Sequence, residues 1–357
     1  MNLRKNFLLG KNLMNNTPGE ACLIAEAGIN HDGNFDKALK LIDIAAAAGC
    51  PFVKFQSFIT TQYMSVNAIS ASYIKKGSRE GESFYQLSKR FEIPHDEQRE
   101  MARYARKKNI CWISSFFDEG SLDLLVELKV PVLKVASGEM TDFPLLKKAA
   151  KTKIPMIVST GMASIKEIDE VVRFLKALKV KDLSLMHCVS WYPAKVEDMN
   201  IKFIDKLFNK YKVPVGLSDH TLGINTSLAA RARGVKFFEK HFTVSKTDFG
   251  PDHAASIDGT ELKQLVVGLE EVGQCLGSGI KTVTPIELEQ RKVHRKSVVA
   301  NTPIPKGTVI KGSMLAAKRP GFGIEPKNLE TLIGYTAIKD IAEDEIIGWD
   351  MIKKSKS

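Results

Sequence analysis

The sequence predicts an α/β protein with a (β/α)8 barrel, followed by a small β-rich domain. Short apolar segments alternate with longer amphipathic segments eight times between Cys22 and Leu276. This alternation is typical of parallel sheets with helical crossovers. Beyond that point the pattern changes to short β-like segments, such as Ser297 to Ala300, broken by prolines and glycines. They are typical of a compact β unit rather than of further β/α repeats.

Eight strands are predicted in the first part. They are Cys22–Ala27, Phe52–Gln56, Ile110–Ser114, Val132–Val135, Met156–Ser159, Leu183–His187, Pro214–Leu217 and Lys236–His241. Eight β/α units are the number that closes a barrel. An open doubly wound sheet is the alternative, but it needs a glycine-rich phosphate turn after its first strand. The turn from Gly28 to Gly33 lacks the G-x-G-x-x-G spacing.

The spacing of these segments also predicts the division of the chain. We expect an N-terminal extension at 1–19, the barrel at 20–280, a linker at 281–295 and the small domain at 296–357. The long interval between the second and third strands predicts an insertion at about residues 60–91.

Composition and charge narrow the function classes. The 357 residues carry a net charge of +11, but residues 1–19 and 281–357 contribute most of it, and long runs of basic residues are absent from the sequence. We therefore expect no nucleic-acid partner. We also expect no membrane partner, because no run of 18 apolar residues occurs. The five cysteines, set among apolar neighbours, predict reduced, buried thiols and a cytoplasmic protein.

Polar residues stand near the carboxyl end of every predicted strand, which is where the active sites of such barrels lie. In chain order they include Glu26, Lys54, Gln56, Ser114, Ser115, Lys134, Ser137, Glu139, Ser159, His187, Ser190, Tyr192, Ser218, Asp219, His220, Glu239, Lys240 and His241. Some of these would be ordinary core-lining groups. Their presence on all eight strands nevertheless indicates one polar cavity.

Two lysines, Lys54 and Lys134, lie in otherwise apolar strands. Burial of an ammonium group is costly unless it meets an anion. Together with Ser137, Ser159 and Ser218, the lysines indicate a site for a phosphate or carboxylate. The alternative is that the lysines pair with Glu26 or Glu139 of the barrel.

The candidate acid and base groups are Glu26 and Glu139, which we expect to face the same cavity. Either can act as a general acid or base with a shifted pKa, or simply neutralise the lysines. His220 and His241, on neighbouring strands, are a candidate metal pair. Two histidines are a weak motif, and buried histidines are commonly structural. Asp252-His253 and Glu26 add possible ligands.

Nine motifs, in order over about residues 20–353, resemble those of the sialic acid synthase family. This family includes N-acetylneuraminate and legionaminate synthases and their spore coat polysaccharide relatives. The motifs are Ile24 to Gly33, Val53 to Gln56, Lys134 to Glu139, Ser159 to Met162, Cys188 to Pro193, Gly216 to Thr221, Glu239 to Phe242, Gly250 to His253, and Lys318 to Gly321.

The resemblance implies a barrel followed by an antifreeze-like (SAF) domain. It implies a transferase that condenses phosphoenolpyruvate with the open-chain aldehyde of an N-acylated mannosamine-type sugar and releases phosphate. N-acetylneuraminate is the expected product, with N,N'-diacetyllegionaminate and, less well supported, pseudaminate as alternatives. Trp191 and Phe322 are bulky and favour a less polar 6-deoxy sugar.

The resemblance also implies roles for individual residues. From their place at the strand ends, and not from the resemblance, Glu26, Glu139, Lys54 and Lys134 are the expected catalytic residues. Phosphoenolpyruvate would meet residues at Lys54, Lys134, Ser137, Ser159 and Ser218. The sugar would meet Gln56, Ser190, Tyr192, Asp252 and Arg319. A divalent metal, Mn2+ with Mg2+ or Co2+ as alternatives, would lie between His220 and His241. Arg319 would reach the site from the partner subunit, which implies a swapped homodimer.

Three other functions stay open from the sequence alone. One is a related barrel synthase or aldolase that uses a different aldehyde. A second is a nucleic-acid-binding module, suggested by the net charge. The third is a non-catalytic structural protein, suggested by the antifreeze-like segment, but it would not need Lys54, Lys134 and Glu139 together at strand ends.

Overall fold

The strands of the first part close into a parallel barrel. The computed structural model describes residues 21–70 and 74–355, so the predicted N-terminal extension lies outside the described residues. The strands pair in chain order, and the eighth pairs with the first. They are β1 (Cys22–Gly28), β2 (Phe52–Ser57), β3 (Cys111–Phe116), β4 (Leu133–Val135), β5 (Met156–Ser159), β6 (Leu183–Cys188), β7 (Val215–Asp219) and β8 (Phe237–His241). The predicted barrel is confirmed.

Helices follow the strands and cover the outside of the barrel. They are α1 (Phe35–Ala48), α2 (Thr60–Tyr63), α3 (Phe84–Phe91), α4 (His95–Lys107), α5 (Glu119–Glu127), α6 (Phe143–Lys151), α7 (Ile165–Ala177), α8 (Phe203–Tyr211), α9 (Asn225–Ala232) and α10 (Gly259–Cys275). The helix α7 illustrates why they form. Ser164 and Glu167 make a reciprocal capping box at its start, and its buried residues recur at helical spacing from Ile168 to Leu175.

The inside of the barrel has two layers, because side chains two residues apart on a strand share a face. The lower layer is apolar and consists of Ile24, Phe52, Ile113, Val132, Ile157, Met186 and Phe237. Two residues further along each chain segment stand Glu26, Lys54, Ser115, Lys134, Ser159, Cys188 and Glu239. The apolar layer therefore closes the barrel from below, and the layer above it presents charged and polar groups.

One strand contributes no side chain to the lower layer. In β7 the corresponding residue is Gly216, and a Cβ atom there would lie 2.3 Å from the ring of Phe237. The glycine leaves room for this ring, and Ser218, two residues on, continues the polar layer.

Residues 279–355 belong to a second compact unit. It contains the helix α11 (Pro285–His294) and the strands β9 (Ser297–Ala300), β10 (Leu315–Lys318), β11 (Tyr335–Ala337) and β12 (Ile352–Lys354). The strands form two antiparallel pairs around buried aliphatic side chains that include Val298, Ile310 and Ile347. The segment 281–295, predicted as a linker, holds the helix α11.

One expectation about the cysteines is wrong. Cys50 and Cys188 are buried, but Cys22 and Cys111 are only half-buried and Cys275 is exposed. Cys275 is the last residue of α10, and the neighbouring Leu276 is exposed as well. Within the part of the chain that the structure describes, no helix has the length and apolarity needed to cross a bilayer.

Candidate functional site

A cavity of about 720 Å3 opens at the carboxyl ends of the barrel strands. It brings together every predicted site residue of the barrel. These residues are Glu26, Lys54, Gln56, Lys134, Ser137, Glu139, Ser159, Ser190, Tyr192, Ser218, His220, His241 and Asp252. The remaining predicted residue, Arg319, is exposed in the second unit. A cavity of about 410 Å3 at the other end of β7 and β8 contains none of them.

The ammonium group of Lys54 sits between two buried carboxylates. It lies 2.8 Å from Glu26 and 3.6 Å from Glu239, and it donates a hydrogen bond of 2.9 Å to Ser115. Burial acts against the charged form, but Glu239 and Glu26 outweigh it, so the pKa of Lys54 lies above its ordinary value. Lys54 is therefore a fixed positive charge at the base of the cavity.

The second lysine, Lys134, is held more loosely. It donates to Ser159 over 2.7 Å and lies 3.5 Å from Glu239, and not next to Glu139 as one alternative from the sequence would have it. Burial lowers the pKa of Lys134 despite the attraction of Glu239. An added anion would complete the environment of this lysine, because charged groups in low dielectric need compensating partners.

Two buried carboxylate oxygens in this layer accept no hydrogen bond from the described residues. They are Oε2 of Glu26 and Oε2 of Glu239, and the latter is the oxygen that lies 3.5 Å from the ammonium group of Lys134. Burial raises the pKa of Glu26 above its ordinary value, against the pull of Lys54. For Glu239, burial is outweighed by Lys134 and Lys54, so its pKa lies below the ordinary value. Unpartnered buried oxygens of this kind indicate groups that await a proton, a water or a ligand.

A third carboxyl group, Glu139, lies at the side of the cavity just after β4. It begins a short turn of 3-10 helix, Gly138–Thr141, and is half-buried. Burial, with help from Asp142 and Asp118, raises the pKa of Glu139 to about 7. A carboxyl group with this pKa can both accept and release a proton near neutral pH.

The serines of the site crowd around one glycine. Ser137 accepts a hydrogen bond of 3.1 Å from the backbone N–H of Gly161 and lies 3.2 Å from Cys188. A Cβ atom at Gly161 would be 2.1 Å from the hydroxyl of Ser190 and 2.7 Å from that of Ser137. Only glycine therefore leaves room after β5 for the hydroxyl groups of Ser137, which follows β4, and Ser190, which follows β6.

The two histidines face one another across the gap between β7 and β8. Their ring centroids are 5.4 Å apart, and Tyr192 stacks on His220 with a centroid distance of 4.2 Å. Burial lowers the pKa of His220 to about 4 and holds the pKa of His241 well below its ordinary value. Both imidazoles are therefore neutral, which is the form that binds metals.

The donor atoms of this pair suit a metal ion. Nδ1 of His220 lies 2.7 Å from the carbonyl oxygen of Val189, so a proton there leaves Nε2 as a lone-pair donor. Nδ1 of His241 is buried without a hydrogen-bond partner among the described residues, and the carboxylate of Asp252 lies 3.7 Å from it. Two imidazole nitrogens and a carboxylate are acceptable ligands for Mn2+ or Zn2+.

A second cluster with metal-binding side chains lies outside the cavity. Asp32, Asp248 and His253 bring their donor atoms within 4.8 Å of one another. However, the ammonium group of Lys37 makes ion pairs with both aspartates. A cation already lies between these carboxylates, so the histidine pair is the better candidate metal site.

The wall of the cavity above the polar layer is largely apolar. Much of this wall comes from the predicted insertion at 60–91, which contains the helices α2 and α3 and the 3-10 turn Ile74–Gly77. The apolar side chains that line it include Ile29, Phe58, Tyr63, Met64, Ile69, Ile74, Phe84, Leu87, Phe91 and Phe117. The cavity thus has a charged base and an apolar upper wall.

Two residues that line the cavity, Glu239 and Ser115, were counted from the sequence among the polar strand ends but were assigned no role. Both face inward because they lie two residues after Phe237 and Ile113 of the apolar layer. Strict alternation along β8 would have placed Glu239 on the same face as His241. Lys240 faces the other way, 3.1 Å from Asp219.

Comparison with known proteins agrees with this geometry. Residues 41–281 match the NeuB family. The chain belongs to the NeuB family. Residues 295–353 match the SAF domain, so the predicted resemblance to the sialic acid synthases with a C-terminal SAF domain is confirmed.

Several members of the NeuB family cover nearly the whole chain. N,N'-diacetyllegionaminic acid synthase of Campylobacter jejuni is 41% identical over 91% of this chain and 98% of that protein. Human N-acetylneuraminate-9-phosphate synthase is 36% identical over 94% of each. An N-acetylneuraminic acid synthetase structure from Leptospira borgpetersenii has a TM-score of 0.66 at 35% identity, covering 77% of this chain and 90% of that one. This chain is accordingly a nonulosonic acid synthase of the transferase class.

Proposed function

We propose that this enzyme condenses phosphoenolpyruvate with the aldehyde of an N-acylated mannosamine-type sugar, giving a nine-carbon 2-keto-3-deoxy sugar acid and phosphate. One observation supports the proposal above all. The lysines Lys54 and Lys134 share a sealed base with two carboxylates, directly below a cavity that also holds a neutral histidine pair. A small molecule with two anionic groups matches the lysines, and a carbonyl compound matches the space above them.

In the proposed reaction, C3 of phosphoenolpyruvate forms a bond to the aldehyde carbon. Water adds at C2, and the C2–O bond to phosphate breaks with loss of inorganic phosphate. Lys54 and Lys134, with the hydroxyls of Ser137, Ser159 and Ser218, would bind the carboxylate and phosphate. Fixed charges in a site closed to bulk water stabilise developing charge strongly. The Oε2 atoms of Glu26 and Glu239, which accept no hydrogen bond from the described residues, would orient the attacking water.

The sugar would extend from the histidine pair toward the mouth, past Gln56, Ser190, Tyr192 and Asp252. A divalent metal held by His220 and His241 would polarise the aldehyde oxygen. Gln56 lies 3.4 Å from Glu26, so it can connect a sugar hydroxyl to the polar base. Tyr192, stacked on His220, would shield the aldehyde from solvent.

We assign the water proton to Glu139, and its pKa gives a pH test. As a base Glu139 must be ionised, so kcat/KM should rise as the pH rises through about 7. Glu139→Gln should fold normally, lose activity by about 10²–10⁴-fold and lose this rising limb. Initial rates of phosphate release between pH 5.5 and 9 measure both effects. If kcat/KM of Glu139→Gln still rises through about pH 7, another group is the general base.

For the sugar, we propose a 2,4-diacetamido-2,4,6-trideoxy hexose, which would give N,N'-diacetyllegionaminate. The apolar wall supports it, since acetyl methyl groups and a deoxygenated C6 match apolar surface, whereas free hydroxyls there would need partners. The legionaminic acid synthases of Campylobacter jejuni and Legionella pneumophila, at 41% and 35% identity, point the same way. N-acetylmannosamine is the second candidate, although the sequence alone favours its product, N-acetylneuraminate.

The test is a panel of aldehydes with phosphoenolpyruvate and Mn2+, read by mass spectrometry of the product and by phosphate release. The panel contains N-acetylmannosamine, its 6-phosphate and the 2,4-diacetamido sugars of both legionaminate and pseudaminate stereochemistry. The legionaminate precursor should have a kcat/KM at least about tenfold above the others. Equal or better turnover of N-acetylmannosamine would overturn the sugar assignment, and no product with any aldehyde would overturn the reaction.

We also propose a swapped homodimer in which Arg319 of one subunit serves the site of the other. The guanidinium is exposed in the second unit and follows the β10 strand directly. Arg319→Ala should leave the dimer intact in sedimentation but raise the sugar KM by about 10-fold or more, as expected for loss of a charged hydrogen bond. The exposed Lys311→Ala is the control. A monomeric enzyme with full activity would contradict this arrangement.

A further inference from the structure

The loop after β8 carries Asp252 into the cavity, and it has little regular structure of its own. Between β8 and α10 it contains a single turn of 3-10 helix, His253–Ala255. The carbonyl of Asp252 accepts hydrogen bonds from the hydroxyl of Ser256 (2.7 Å) and the N–H of Ala255 (3.1 Å). The position of the Asp252 carboxylate therefore depends on how the backbone of this loop is held.

His253, the residue after Asp252, fixes that backbone on the side away from the cavity. Its ring is fully buried. Nδ1 lies 2.6 Å from the hydroxyl of Thr243, and Nε2 lies 3.0 Å from a carboxylate oxygen of Asp32. One ring thus connects two parts of the β8 loop to the β1 loop. A Cβ atom at Gly250 would lie 2.7 Å from this ring, so the loop packs closely around it.

Lys37 completes the connection from the first turn of α1. Its ammonium group pairs with Asp32 and also with Asp248, the latter at 2.5 Å. Asp32, Lys37, Asp248 and His253, here called the loop clamp, join β1, α1 and the β8 loop. None of the four lines the cavity. Asp32 and His253 belong to two of the nine sequence motifs, and the proposed reaction gives neither residue a role. The loop clamp gives both residues the same role.

We propose that the loop clamp positions the carboxylate of Asp252 for the sugar. The role rests on the proposed function, because Asp252 is taken to bind the sugar beside the histidine pair. Lys37 and Asp32 are positioning residues, acting through His253 on a neighbouring carboxylate. Errors of about 1 Å in the position of a binding group cost up to about a hundredfold in rate, which is why such a connection matters.

The sharpest variant is Lys37→Met, which keeps the length of the side chain and removes both ion pairs without disturbing the backbone. The exposed Lys40→Met, on the same helix, is the matched control. Lys37→Met should raise the sugar KM about tenfold while kcat and the KM for phosphoenolpyruvate change less than about twofold. Asp32→Asn should act in the same direction and more weakly, because the amide oxygen still accepts from His253.

A double-mutant cycle separates positioning from general destabilisation. In an Asp252→Asn background, Lys37→Met should add nothing to the sugar KM if it acts through Asp252. An additive effect, or an equal rise in the KM for phosphoenolpyruvate, would overturn the proposal. Loss of a bound metal in Asp32→Asn, measured by mass spectrometry of metal content, would overturn it in favour of a metal site at the clamp.

Hydrogen exchange tests the clamp without any substrate. Amides of residues 243–256 should exchange faster in Lys37→Met than in the wild type, whereas their exchange rates should be unchanged in Lys40→Met. Unchanged exchange in both variants would overturn the clamp, whatever the enzyme acts on. Faster exchange in a protein that turns over no aldehyde of the panel would instead reject the proposed function and leave the clamp in place.

Discussion

Replacing His241 with alanine should abolish metal binding and reduce kcat/KM by at least about a hundredfold. The reason lies in the state of the two rings. Both are neutral, since burial lowers both pKa values, and Nδ1 of His241 has no hydrogen-bond partner among residues 21–70 and 74–355. A buried nitrogen left without a hydrogen bond is costly, and a metal ion bound to it would remove that cost. His220→Ala should have the same effect.

The experiment measures metal content of the purified protein beside turnover. Wild-type enzyme treated with a chelator should lose activity and regain it with Mn2+, whereas His241→Ala should stay inactive after Mn2+ is added. His294→Ala, at an exposed position, controls for the loss of any histidine. A variant that keeps both metal and rate would remove His241 from the site, and untouched turnover in chelated wild type would remove the metal from the reaction.

The fold could be read from the sequence because its pattern is local and repeated. Apolar segments such as Met156–Ser159 stand out from amphipathic ones, and eight of them leave few architectures. The polar strand ends then identify the cavity, since all strands of such a barrel end at one face. No knowledge of tertiary contacts was needed for either step, so both the barrel and the gathering of Lys54, Lys134 and His241 were predictable.

Most partnerships between side chains on different strands escaped the sequence, although the pairing of Lys54 with Glu26 was one of its alternatives. Lys134 meets Glu239 rather than Glu139, because Glu139 lies beyond the strand on a 3-10 turn and Glu239 faces inward. The same holds for Asp32 and His253, which are 221 positions apart in sequence although Nε2 of His253 lies 3.0 Å from Oδ1 of Asp32. The local pattern predicts that the barrel closes, but it does not show which side chains of distant loops then come into contact.

The apolar wall that the insertion forms could not be predicted from the sequence either. Its helices α2 and α3 are short, and side chains such as Ile74 and Phe84 carry no periodic signal that indicates a cavity. They pack in one apolar cluster with Phe58 and Phe117, and this cluster sets the polarity of the proposed sugar site. The choice between two sugars therefore depends on tertiary packing more than on any motif.

Lys134→Met should both destabilise the enzyme and reduce kcat/KM for phosphoenolpyruvate, by about 10²–10³-fold. The side chains of Lys134 and Glu239 are 3% and 4% exposed. Removing one partner of a buried pair costs about 3–5 kcal/mol in unfolding free energy, because the other charge stays buried. The loss of unfolding free energy should be near the lower end of this range, because Lys54 still lies 3.6 Å from Glu239 and partly compensates its charge. Urea unfolding and steady-state rates measure the two effects.

The double variant Lys134→Met with Glu239→Gln distinguishes the two roles of the lysine. Without the carboxylate there is no uncompensated charge, so most of the lost stability should return. Activity should not return, because the positive charge that meets the anion is still missing. Lys151→Met, on the exposed side of α6, should change neither quantity. Recovery of activity in the double variant would mean that Lys134 serves only to neutralise Glu239, and an unchanged KM for phosphoenolpyruvate in Lys134→Met would place the anion elsewhere in the cavity.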